Sequence, residues 1–252
     1  MLFLMRFNRI QLPGTAWLIR FLTAIVLAAA LSGAAAAESV RTREINQCLK
    51  GEIVTWGDGI DRAAIIPQMK FAYSHAGAPA WFSEELVSGM VAKAAGEWAN
   101  CGLRTSMVGW SVFNVLKPDV IKVQWSEEGS RGNFGLANVG MRTISLGPRI
   151  FGVLKTRRPD YDGHDTLQLV ISHEMGHFFG LMAHSRRCID VVSYYDNGKG
   201  EKCYSRDPAQ MRGYREYRYE FPTACDIERC RKLNNMPPLP DGRLPEHSLH
   251  HD

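Results

Sequence analysis

The stretch from Asp165 to Gly180 leaves this chain less freedom than any other. Asp165 is a good N-cap with Gln168 three residues on, and Leu167, Val170, Ile171, Glu174 and Phe178 recur at helical intervals. Gly180 suits the left-handed turn that ends a helix, so the spacing predicts a helix over 166–179. On it His173 and His177 stand four positions apart. Both imidazoles therefore leave one face a turn apart, a spacing that lets them bind a single Zn²⁺ at ~2.0–2.1 Å. Glu174 sits beside them, able to reach water at the ion without being a ligand. Both parts are needed: water has a pKa of ~15.7, beyond a carboxylate near ~4, whereas zinc brings coordinated water to ~7. Three protein donors are expected at a catalytic zinc. His184 follows Gly180 by four steps, which span up to ~14 Å and allow a turn back to the ion. Asp190 is the next candidate for that position, and His164 and His75 are more distant ones.

The run from His173 to His184, His-Glu-Met-Gly-His-Phe-Phe-Gly-Leu-Met-Ala-His, resembles the metzincin signature HExxHxxGxxH of zinc endopeptidases, in its matrixin-like form. The resemblance implies an α+β fold: a twisted mixed β-sheet with two long helices and a C-terminal helix, the second long helix carrying the metal site. It implies Zn²⁺ as cofactor, His173, His177 and His184 as ligands, and Glu174 as the catalytic base that then returns its proton to the leaving amine. Two departures stand out. The third His comes one residue late, with Ala183 at the family position. In Asp190-Val-Val-Ser-Tyr-Tyr195, which resembles the segment around the family's Met-turn, Val192 replaces the Met. Tyr194 then falls where some relatives carry a Tyr that touches the metal or the developing oxyanion, so it is a catalytic candidate; a packed turn aromatic is the other reading. The resemblance further implies a first long helix at 83–101, a central strand at 120–125, an edge strand for substrate at 135–139 and the last helix at 223–233. No inhibitory Cys motif is present; Asn46-Gln-Cys48-Leu-Lys does not match one. Two alternatives stay open: an inactive zinc-binding or interaction module of the same fold, and a gluzincin-type hydrolase drawing a third ligand from Glu201, Glu220 or Glu228.

Residues 1–37 carry Arg6, Arg9 and Arg20, an apolar run from Phe21 to Leu31 and then Ser-Gly-Ala-Ala-Ala-Ala, the layout of a secretory signal peptide. The apolar run is about half of the ~20 residues a membrane span needs. The expectation is a secreted or periplasmic protein without stable membrane insertion. Removing three Arg and no acid lowers the formal charge from +4 to +1, which gives nucleic-acid binding no electrostatic footprint. A protein or peptide substrate and a monomer are expected. Six Cys in the exported part read as disulfides, with no Cys-x-x-Cys zinc spacing. Cys225 and Cys230 fall on different faces of the helix expected from Thr223 and cannot pair with each other. Cys188 with Cys203 is the favoured pair; the rest of the connectivity stays open.

The catalytic domain is expected at 38–233, starting with a polar, irregular stretch to about Gly59. Gln68 to Tyr73 alternates as a strand. Ser83 with Glu84 and Glu85 opens a helix whose inward stripe is Val87, Met90, Val91, Ala94 and Trp98, closed by Gly102. Val120 to Trp125 and Arg142 to Leu146 alternate as strands. Asp160, Asp162 and Asp165 miss the known calcium spacing, so Ca²⁺ is unsupported and turn chemistry explains them. Residues 234–252, rich in Pro and polar groups and holding His247, His250 and His251, are expected as a disordered tail.

Overall fold

In the computed structural model, which describes residues 38–245, the periodic segments form a mixed α/β fold. In chain order they are α1 (Val40–Asn46), β1 (Gln68–Ser74), α2 (Glu84–Trp98), β2 (Arg104–Met107), β3 (Val120–Trp125), β4 (Gly135–Asn138), β5 (Thr143–Leu146), α3 (Pro148–Arg157), α4 (His164–Phe178) and α5 (Ala224–Leu233). The five strands make one sheet in the order β2-β1-β3-β5-β4. All neighbours are parallel except β4, which lies antiparallel to β5 at the edge. The alternation in β1, β3 and β5 turns Phe71, Ile121, Val123, Ile144 and Leu146 into the core, each fully buried.

Helices α2 and α4 pack on that core. The Ser83 side chain accepts from Leu86 N, as its sequence position predicts, and Val87, Val91, Ala94 and Trp98 are fully buried. Trp98 stacks on Phe179 at 5.0 Å and donates its indole N–H to Ser172 O at 2.9 Å, which fixes the register of α2 against α4. Gln168 Nε2 donates to Met90 O across the same interface. These two polar anchors hold α4 in one rotational setting, and that setting decides where His173 and His177 point.

Helix α4 begins earlier than its caps predict. Its N-cap is Gly163 in a left-handed conformation, and Asp165 lies inside the first turn. Asp162 Oδ1 accepts from His164 N, so turn chemistry one step upstream ends the loop. Gln168 points inward to α2 and takes no part in a capping box. Helix α3 starts at Pro148, whose fixed φ suits the first helical position. At the other end of α4, Gly180 has φ 102°, and a Cβ there would meet Arg62 O at 2.0 Å.

The tail expectation fails over its first part. Residues 234–245 are packed: Leu239 and Leu244 are buried, Leu244 N donates to Asn46 O, and a short 3₁₀ turn spans Pro240–Gly242. The remainder of that tail, with His247, His250 and His251, and the expected signal peptide lie outside the described residues.

Three disulfides brace the fold. Cys188–Cys203 is the pair favoured from sequence, and α5 contributes to the other two, Cys48–Cys225 and Cys101–Cys230. Thr223 caps α5 in a reciprocal capping box with Asp226. No helix among the described residues is long and apolar enough to cross a membrane.

Candidate metal centre

His173 and His177 leave α4 on one face, and the chain turns at Gly180 to bring His184 opposite them. The ring centroids form a nearly equilateral triangle with sides of 5.3, 5.1 and 5.3 Å. One ligand nitrogen from each ring lies within 4.8 Å of the other two, so the three could hold a metal ion. His173 Nε2 and His184 Nε2 are 3.2 Å apart.

Each ring is oriented through its other nitrogen. His173 Nδ1 donates to Val191 O at 2.8 Å, His177 Nδ1 to Leu181 O at 2.7 Å, and His184 Nδ1 to Asp58 Oδ2 at 2.8 Å. Protons at Nδ1 leave lone pairs at Nε2, the tautomer a ligand needs. Burial, reinforced by the neighbouring imidazoles, holds His173 well below the usual histidine pKa and lowers His177 to about 4. Both are therefore neutral at physiological pH, the ligating form.

The anchors are themselves held. Val191 N donates to Asp226 Oδ2 at the start of α5. Val192 is fully buried under α4, where a Cβ on Gly176 would touch its Cγ2 at 2.4 Å. The bend that leads to His184 is braced by Asp61, whose Oδ1 accepts from Met182 N at 2.9 Å and Ala183 N at 3.0 Å. Arg229 of α5 grips Asp61 with two nitrogens and also reaches Ala183 O. The bend thus has its own charged clamp.

Glu174 faces the edge strand. Its Oε2 accepts from Ala137 N of β4 at 2.7 Å, and burial raises its pKa to about 7 against that hydrogen bond. Gly135 lies so close that a Cβ would meet Glu174 Cγ at 2.9 Å and Val170 Cγ1 at 2.5 Å. Tyr194 stacks on Trp56 at 5.4 Å, lies 4.8 Å from the His184 ring, and donates its hydroxyl to Asp58 Oδ2 at 3.0 Å.

Sequence reasoning missed Asp58, at the end of the stretch read as polar and irregular, and Asp61 just beyond it. Asp58 also accepts from His184 N at 2.9 Å through its other oxygen. A local signal exists, since Gly57-Asp-Gly-Ile-Asp61 holds two carboxylates among turn residues. Nothing in it points to a histidine far along the chain. The substitute ligands lie elsewhere. Asp190 is buried and occupied by Ser185, Arg187 and Thr223. His164 pairs with Asp162, and His75 contacts Tyr73. Glu201 bonds Asn197 and Glu228 caps Leu239 N, and neither these nor Glu220 joins the histidine cluster.

No family model matches this chain, and no curated protein matches it by sequence. Among solved structures, the chain is similar to the GM1-bound form of the ECX AB5 holotoxin. There the TM-score is 0.42 and the identity 14%, over 70% of this chain and 87% of that one. It is also similar to a zinc-dependent peptidase from Methanocorpusculum labreanum (strain Z), with a TM-score of 0.32 and 13% identity over 64% of this chain and 100% of that one. Both likenesses are too remote to decide what this chain does.

Proposed function

We propose that this chain is a secreted zinc-dependent endopeptidase of the metzincin type, with His173, His177 and His184 holding the metal and Glu174 moving the proton. One observation carries the reading: three imidazoles, each pinned through Nδ1, turn their remaining nitrogens toward one another beside a buried carboxylate. The donor set fits zinc. Two nitrogens on a tetrahedral ion at ~2.0–2.1 Å stand about 3.3–3.4 Å apart, and the His173 to His184 separation is 3.2 Å. Three imidazole donors leave the fourth position open, as a catalytic site requires.

Zinc, when bound, supplies the Lewis acidity that polarises a scissile carbonyl and acidifies water. The chain's own residues do the rest. Glu174 has Oε2 tied to Ala137, which leaves Oε1 to take a proton and hand it to the leaving amine. Because β4 is the terminal strand and Ala137 N turns to Glu174, an extended peptide added at this edge runs past the carboxylate. Tyr194 acts through Asp58 as a positioning residue for His184. The substrate is a protein or peptide, nucleic acid is not a partner, the chain has no stable membrane insertion, and it works as a monomer in a secreted or periplasmic setting where its disulfides persist.

The test is digestion of a diverse peptide pool with and without a chelator, read by mass spectrometry, beside metal analysis of the purified protein. About one zinc per chain, chelator-sensitive cutting and a Glu174→Gln variant that keeps the metal but does not cut are expected. A zinc-loaded protein that leaves the pool intact would favour the inactive binding module.

A further inference from the structure

A cavity of about 940 Å³ opens beside the candidate centre, with His173, Glu174 and Val170 of α4 among its lining residues. Phe134, Leu154 and Leu169 add apolar wall. Its lining also brings together arginines from three separate parts of the chain: Arg41 on α1, Arg157 and Arg158 at the end of α3, and Arg215 and Arg218 before α5.

The carboxylates there do not cancel them. Glu216 is tied to the Arg218 guanidinium by hydrogen bonds of 2.9 and 2.6 Å, and Glu174 belongs to the chemistry, which leaves Asp165 and Glu220 against four other arginines. Arg157, Arg158 and Arg215 form no salt bridge with another described residue. Arg41 lies over the Tyr214 ring at 4.8 Å, and its buried Nε has no hydrogen-bond partner. An apolar wall with excess guanidinium groups suits a side chain with an aliphatic stem and an anionic tip.

We infer that this cavity is a specificity pocket for an acidic substrate side chain flanking the scissile bond, bound by Arg157, Arg158 and Arg215. The inference rests on the peptidase reading and adds the class of peptide the site selects. A carboxylate there gains charge-assisted hydrogen bonds that its amide counterpart lacks, and salt weakens the attraction because the arginines are open to solvent.

The experiment takes a peptide cut by the zinc-loaded protein and compares versions with Glu, Gln or Lys at each position flanking the bond. At one position, kcat/KM for Glu should exceed that for Gln by about tenfold at low salt, with Lys poorer still and the ratio shrinking as salt rises. Arg157→Ala with Arg158→Ala, and separately Arg215→Ala, should bring the Glu/Gln ratio toward one; all three residues are exposed, so the fold should tolerate their loss. In parallel, the Glu174→Gln protein with zinc is titrated with fluorescent Glu and Gln peptides, which reads recognition without cutting. Equal binding and equal cleavage of the two peptides, or a preference unmoved by the arginine changes, would overturn the inference and leave the peptidase reading standing. No cleavage of any peptide overturns the peptidase reading, and the binding titration still decides whether the pocket selects acid.

Discussion

Asp58→Asn is the change that best separates an oriented metal centre from a chance meeting of histidines. Asp58 receives three hydrogen bonds: His184 N on Oδ1, and His184 Nδ1 with the Tyr194 hydroxyl on Oδ2. Asparagine is nearly isosteric but offers one acceptor oxygen and one NH₂ group. If the NH₂ takes the Oδ1 place it opposes the backbone N–H of His184. If it takes the Oδ2 place it opposes Nδ1–H, and the proton must move to Nε2, the atom that lies 3.2 Å from His173 Nε2. Either way the third ligand is compromised while the fold keeps its shape. Loss of such an outer partner costs ~10–100-fold in metal affinity, or about 1.4–2.7 kcal/mol. Tyr194→Phe removes only one hydrogen bond from the same carboxylate and should cost no more than about fivefold. The assay is competition for Zn²⁺ against a chromophoric chelator, with circular dichroism to check the fold. An Asp58→Asn protein that stays folded and binds zinc within about twofold of the parent refutes the reasoning.

Gly135→Ala should leave zinc binding intact and lower kcat by about a hundredfold, because the new methyl displaces Glu174 or the edge strand that holds it; steady-state kinetics and metal analysis read the two effects apart. The pair Cys101→Ser with Cys230→Ser opens a bridge that spans 129 residues and should cost about 4–5 kcal/mol, against about 3 kcal/mol for the 15-residue span of Cys188–Cys203; denaturant titration reads both. Burial and the nearby Asp190 raise the Asp226 pKa. The proton-bound form is then favoured in the folded state, so the native protein loses stability as pH rises from the ordinary carboxylate range toward neutrality. Asp226 Oδ1 has no partner, so Asp226→Asn can keep the accepting oxygen toward Val191 N and should flatten that decline. Melting temperatures at about pH 5 and about pH 7.5 check it, and a slope equal to the parent's counts against it.

What the sequence made legible was local. Ser83 and Thr223 reveal their helices because a cap bonds residues only three positions away, and the strands at Val120 and Thr143 follow from two-residue alternation. His173 and His177 are readable for the same reason, since a single helix sets their relation. Cys188–Cys203 was accessible as a short loop, whereas pairings across 177 and 129 residues left no local trace. The start of α4 was misjudged because Asp165 looks like a cap while Gly163, with its positive φ, had already turned the chain. Residues 234–245 read as tail because Pro and polar groups dominate, yet Leu239 and Leu244 supply enough buried surface to seat them. Asp58 and Asp61 were illegible because their partners lie more than a hundred positions downstream, and only the tertiary path of residues 54–62 explains them.

That path makes the centre vulnerable to a single cut. Trp56 N donates to His184 O and Arg62 N to Gly180 O, so the strap is stitched to the histidine loop on both sides of Asp58. Ile60 between them is 87% exposed, which offers a protease an accessible bond. A nick there would loosen the carboxylate that aims His184, yet the Cys48–Cys225 bridge would keep the severed piece attached. The molecule would then keep its mass on a non-reducing gel while His184 lost its aim, a loss that only reduction would make visible.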